Sequence, residues 1–92
     1  MSYQIKAAGG IVITEGKILF IKKNGRWEFP KGRFKKDSKK KNTAIREICE
    51  ETGIQKKHLT IIKTLIPTHN NIKINGKAGV KKTFWFLVEF LG

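Results

Sequence analysis

Ninety-two residues carry 20 Lys and Arg against seven Asp and Glu, a formal net charge of +13; a chain of this length makes one domain that buries about two thirds of its unfolded surface. No apolar run approaches the ~20 residues of a membrane span, the opening Met1-Ser2-Tyr3-Gln4-Ile5-Lys6 lacks a secretory core, and a single cysteine, Cys49, cannot make an internal disulfide. These features exclude a membrane-spanning or disulfide-built protein and lead us to expect a soluble, cytoplasmic one whose positive field attracts polyphosphates, nucleic acids or anionic surfaces.

In chain order, Ala7 to Thr14 starts a strand region. Its Gly9-Gly10 pair weakens a strand but admits a bulge or close backbone approach. Lys17 to Lys23 is a second strand around Ile18-Leu19-Phe20-Ile21, and Asn24-Gly25 has the residue types of a tight hairpin turn into Arg26 to Glu28. After the Pro30-Lys31-Gly32 loop, Ser38 is suited to cap a helix running from about Lys39 to Thr52, with Gly53 suited to its left-handed C-terminal position. A strand from Leu59 to Ile66 follows, then a loop at Pro67-Thr68-His69-Asn70, a turn at Asn75-Gly76, and a long strand from Lys77 to Phe90. The run Phe84-Trp85-Phe86-Leu87-Val88 is apolar at consecutive positions, so both faces of this last strand call for cover, yet one substantial helix is predicted to supply it.

The helix concentrates three of the seven acids, Glu47, Glu50 and Glu51. At about 100° per residue they fall on one side, opposite Ala44, Ile45, Ile48 and Cys49. Like charges three or four positions apart cost roughly 0.2 to 0.5 kcal/mol per pair unless a cation neutralises them. A hard divalent metal is one such cation, and Mg2+ prefers a few carboxylates completed by water and substrate phosphate. A solvated acidic face balanced by lysines accounts for the spacing equally well.

The order of residues around these acids resembles the Nudix box. Gly32, Arg46-Glu47-Ile48, Glu50-Glu51 and Gly53-Ile54 stand at the spacing of that motif, and Trp27-Glu28-Phe29-Pro30-Lys31-Gly32 is similar to the lead-in of family branches acting on diadenosine polyphosphates. One position departs: the first glutamate of the box should stand at residue 38, where this chain has Ser38 preceded by Asp37. The resemblance implies that this glutamate supports Arg46, so Arg46 is left without that partner unless Asp37 substitutes. It also implies an α/β fold, the Nudix α/β/α sandwich with a mixed sheet, as a single domain over residues 1–92. The loop, strand and helix with which the family continues are missing after Gly92. A second copy of the chain or another partner is then one candidate cover for the bare sheet face.

For chemistry, the resemblance implies hydrolysis of a nucleoside diphosphate derivative, dinucleoside polyphosphate or nucleoside triphosphate, with Mg2+, or Mn2+ in its place, as cofactor. Glu47, Glu50 and Glu51 would be the metal ligands, with Glu47, Arg46 and Glu50 as catalytic residues. Lys31, Gly32 and Trp27 would contact substrate, the backbone carbonyl of Lys31 completing the metal shell. Phe84, Trp85 or Phe86 offers a base-stacking surface, against the plainer reading as core. His58 reads as surface and His69 as a loop residue, neither with metal-ligand spacing. Cys49 reads as a small core residue, and the basic run Lys35 to Lys41 as a phosphate-facing or solvated segment. Two alternatives stand beside the enzyme: a degenerate, non-catalytic domain that binds nucleotide, RNA or protein, and a nucleic-acid-binding module whose aromatic platform is Lys81-Lys82-Thr83-Phe84-Trp85.

Overall fold

The computed structural model describes residues 3–92; Met1 and Ser2, part of the N-terminus read above as lacking a secretory core, lie outside the described residues. The elements are β1 (Tyr3–Thr14), β2 (Lys17–Ile18), β3 (Ile21–Lys23), β4 (Arg26–Glu28), β5 (Lys31–Arg33), α1 (Lys40–Thr52), a 3₁₀ turn (Lys56–His58), β6 (Leu59–Thr64), β7 (Thr68–Ile74) and β8 (Lys77–Phe90). Six strands form one mixed sheet, and β3 and β4 form a separate hairpin.

The long strand β8 is central, as its two apolar faces require. It runs parallel to β1, pairing from Tyr3 with Gly79 to Ile13 with Glu89. Its other edge takes β6 and β7, both antiparallel. On β1, the outer edge is shared by β2 near Thr14 and by β5 near Ala8. Side chains alternate across a strand, so Ala8, Gly10 and Val12 share a face with their partners Phe84, Phe86 and Val88. That face receives Ala44, Ile45 and Ile48 of α1 and makes the buried core. Gly10 is needed there: a Cβ would press on Ile48 Cδ1 and lie 3.1 Å from Val88 Cγ2. The opposite face carries Ile11, Trp85 and Leu87, all only half-buried, and Ile66 beside them is 86% exposed.

Several sequence expectations change. The strand expected at Lys17 to Lys23 breaks after Ile18, because the chain leaves β1 there and Phe20 turns to stack on Phe29 at 4.8 Å. The segment Thr68-His69-Asn70, expected as loop, is the start of β7, since Thr68 and His69 find ladder partners in Thr83 and Lys82. Ser38 does not cap α1. Lys39 is the N-cap and makes no side-chain cap bond, while Ser38 N donates to Lys35 O. At the other end, Gly53 takes φ 79° and donates to Cys49 O, closing the helix where the sequence places its end. Both Asn-Gly turns form with positive φ at each residue. Among the described residues no helix is long and apolar enough to cross a membrane.

Candidate active site

The site forms where the outer flank of α1 meets β5. Ile48 and Ala44 anchor the helix to the sheet, which turns Glu47 and Glu51 toward β5 and leaves Glu50 more open to solvent. Gly32 of β5 lies directly beneath Glu47. A Cβ built on Gly32 would stand 2.6 Å from Glu47 Oε2 and closer still to its Cδ and Oε1. Only glycine lets this carboxylate lie flat on the strand.

The carboxylates are held by cations and by backbone. Arg46 Nη1 is 3.1 Å from Glu47 Oε2 and 3.6 Å from Glu50 Oε1, and its Nη2 donates to Arg33 O at 3.0 Å. Arg46 thus ties α1 to β5 while sitting between two acids. Glu51 accepts from Lys31 N at 3.2 Å and pairs with Lys23 Nζ at 3.4 Å. Lys31 Nζ reaches Glu28 Oε1 at 3.4 Å. Burial and the neighbouring charge of Glu50 push the Glu47 carboxyl above its ordinary range; Arg46 opposes this and Glu51 adds to it. Lys81 is held below the usual lysine range by burial and by the nearby Lys31 and Arg33.

The structure brings Arg46, Glu47, Glu50, Glu51, Lys31 and Gly32 together. Trp27 is apart from them. It sits on the exposed side of β4, 68% exposed, with Lys22 Nζ 5.6 Å from its ring, while the adjacent Glu28 turns toward Lys31. Asp37, which could have taken the place of the box's first glutamate, makes no ion pair with Arg46; its φ of 63° belongs to an exposed turn. Arg46 takes Glu47, Glu50 and the Arg33 carbonyl instead. Phe86 is core, 2% exposed, and Cys49 packs beside that core. His58, read as a surface residue, is half-buried and packs edge-on to Phe90, and His69 is exposed on β7.

Sequence reasoning missed Lys23, Glu28 and Arg33 as members of the site. Lys23 and Glu51 are 28 positions apart, and only the hairpin β3–β4 brings them together.

Three carboxylates with no His or Cys are a hard oxygen set, which fits Mg2+ or Mn2+ bound together with water and phosphate. Burial first, then the charges of Glu50 and Glu51, raise the proton affinity of Glu47, and a cation placed beside it would offset all three. Among the described residues no three His, Cys, Asp or Glu side chains converge closely enough to hold a metal by themselves. Arg46 and Lys23 occupy these carboxylates instead, so a cation would have to displace them, and Lys23 is 54% exposed and free to swing away.

An RNA pyrophosphohydrolase of Thioalkalivibrio sulfidiphilus is 28% identical over 99 residues, covering 90% of this chain and 55% of that protein, so the chain spans about half the length of this relative. The crystal structure of a C. elegans Ap4A hydrolase superposes with a TM-score of 0.64 at 27% identity, covering 97% of this chain and 70% of that one. A NUDIX hydrolase from Nitrosomonas europaea shares the fold with a TM-score of 0.68 at 19% identity, over 91% of this chain and 58% of that one. The model of the NUDIX domain matches residues 4–92, so that the box helix, the glycine under Glu47 and the central parallel pair β1–β8 all fall within it: the chain belongs to the NUDIX family.

Proposed function

We propose that this domain cleaves a pyrophosphate bond in a nucleoside diphosphate derivative, with a divalent metal, Mg2+ or Mn2+, held by Glu47, Glu50 and Glu51. The observation that carries the reading is Glu47 lying on Gly32, with Glu50 sharing its Arg46 partner and Glu51 held by the Lys31 N–H on the same strand. The metal, when bound, neutralises the diphosphate and acidifies water. In this reading Glu47 orients the attacking water, a role supported by Gly32 and Arg46 holding its carboxylate from two sides. Arg46 positions the helix face against β5 through the Arg33 carbonyl. Lys31, held by its own N–H to Glu51, carries an ammonium available to substrate phosphate once it leaves Glu28.

Dinucleoside polyphosphates are the favoured substrates. The Trp27 to Gly32 segment and the likeness to the C. elegans Ap4A hydrolase support them. Likeness to the RNA pyrophosphohydrolase supports the same bond chemistry at an RNA end. A cytoplasmic location suits these substrates and the single free cysteine.

A second reading, a degenerate domain that binds nucleotide, RNA or protein without cleaving, draws on Ser38 and on the lack of three converged metal ligands among the described residues. Incubation with Ap4A and Mg2+, with nucleotide release followed by chromatography, separates the two. The hydrolase reading expects release that Glu50→Gln lowers by about two orders of magnitude or more, together with weaker Mn2+ binding by electron paramagnetic resonance. Release that persists in Glu50→Gln removes the assigned metal role. Tight nucleotide binding without release establishes the second reading.

A further inference from the structure

Among the described residues, a concentration of positive charge outside every ion pair lies away from the box carboxylates, on the helix-covered side of the sheet. Here the first turn of α1 meets β8 and the segment after β6. Lys40, Lys41, Lys82, Phe84, Leu65 and Pro67 line a groove of about 430 Å³. Lys40 Nζ stands 4.4 Å from the centroid of the Phe84 ring and Lys82 Nζ 4.9 Å from it. The two ammonium groups are therefore within 9.3 Å of each other, inside the Debye length of ~10 Å at 0.1 M salt. Phe84 is half-buried, and each ammonium gains only about 0.5 to 1 kcal/mol or slightly more from its ring. Among the described residues, every ion pair is made by Lys23, Lys31 or Arg46, so no carboxylate offsets Lys40, Lys41 or Lys82.

The charge continues on both sides. Lys35, Lys36 and Lys39 lead into the groove along the exposed segment before α1. His69 and Lys73 of β7 lie beyond Lys82 on the same face, since His69 is the cross-strand partner of Lys82 and Lys73 that of Ala78. The floor is aromatic, with Phe34 tilted against Phe84 at a centroid distance of 5.9 Å.

We propose that this groove binds a single-stranded polynucleotide, its phosphates taken by Lys40, Lys41 and Lys82 and a base received on Phe84 as the two ammonium groups swing from the ring to the backbone. A row of cations along an aromatic floor matches a chain of phosphates with a base at each step. A free polyphosphate has no use for the ring, and a duplex keeps its bases stacked away from it. The groove is separate from the pyrophosphate site: Lys40 and Glu47 are seven residues apart on α1, about 10 Å along its axis. The proposal does not rest on metal binding or on hydrolysis.

The test is fluorescence anisotropy with a labelled oligouridylate of about 12 nucleotides carrying a 5′-hydroxyl, in EDTA. The probe has no pyrophosphate and the buffer no free metal, so failure of the hydrolase reading leaves the result unaffected. Wild type is expected to bind saturably, and Lys40→Gln/Lys82→Gln to bind about tenfold or more weakly, with the slope of log affinity against log salt shallower by about 1.4. Phe84→Leu is expected to lose about fivefold or more while keeping the wild-type salt slope. Lys17→Gln/Lys63→Gln, which removes two exposed lysines elsewhere, should stay within about twofold. Thermal melts confirm folding, and should Phe84→Leu unfold, the lysine pair and its control decide alone. An equal loss in the two lysine pairs overturns the proposal, as does a folded Phe84→Leu protein that binds like wild type. So does equally tight binding of poly-glutamate.

Discussion

Replacing Gly32 by alanine separates the part of the site that is chemistry from the part that is scaffold. The new Cβ starts 2.6 Å from Glu47 Oε2 and nearer still to its Cδ and Oε1, whereas ordinary contact begins at 3.4 Å, so the carboxylate must retreat by more than 0.8 Å. The three nearest atoms it would strike all belong to the end of the Glu47 side chain. An off-rotamer Glu47 costs about 0.5 to 1.5 kcal/mol, and the weakened pair with Arg46 about 0.2 to 1 kcal/mol more. The loss of glycine's freedom in the unfolded chain returns about 0.4 to 1 kcal/mol. Net stability therefore changes by no more than about 2 kcal/mol, a fall in Tm of at most ~15 °C for a domain of this size. A misplacement approaching 1 Å at a reacting group costs about 100-fold. The expected outcome is a folded protein whose kcat/KM for Ap4A falls about 100-fold and whose Mn2+ affinity falls with it. Activity within threefold of wild type (about 0.65 kcal/mol of barrier) would show that Glu47 does not need its place on β5, and the assignment of that residue would fail.

The remaining predictions concern charge and core. Because the Glu47 carboxyl titrates above its ordinary value of 4.5, the folded state holds the proton more tightly than the unfolded chain, and stability falls as pH rises from 4.5 through the raised folded value. Glu47→Gln should therefore raise Tm at pH 7 in metal-free buffer, with the gain fading below pH 4.5, as thermal melts across pH will check. Lys23→Gln removes a half-exposed competitor for Glu51; Mn2+ titration should show tighter binding, with Tm nearly unchanged. Phe86→Ala empties the centre of the core, where Phe86 is 2% exposed, and chemical denaturation should show a loss of about 3 to 5 kcal/mol.

What the chain discloses on its own is local. Helix α1 ends where Gly53 can take a left-handed conformation, and both Asn-Gly turns occur where positive φ is cheap, because these preferences belong to single residues. The same holds for the acids Glu47, Glu50 and Glu51, whose placement on one side of α1 follows from helical period. The start of the helix was less legible. Ser38 has the chemistry of a cap, but the turn that bonds its N–H to Lys35 leaves it one residue short of the N-cap position, which Lys39 holds, and the helix begins two residues later.

Only the tertiary structure decided what those carboxylates touch. Lys23 arrives from a hairpin, Arg33 offers a carbonyl from β5, and Gly32 clears a space that its own sequence neighbours do not explain. His69 became a strand residue because β8 presented an unpaired edge, which outweighs the Pro67 that suggested a loop. The physical reason is one of range. Backbone preference and helical period act over a few residues, whereas ion pairs and close packing join positions 13 to 28 apart, and these exist only once the sheet has formed.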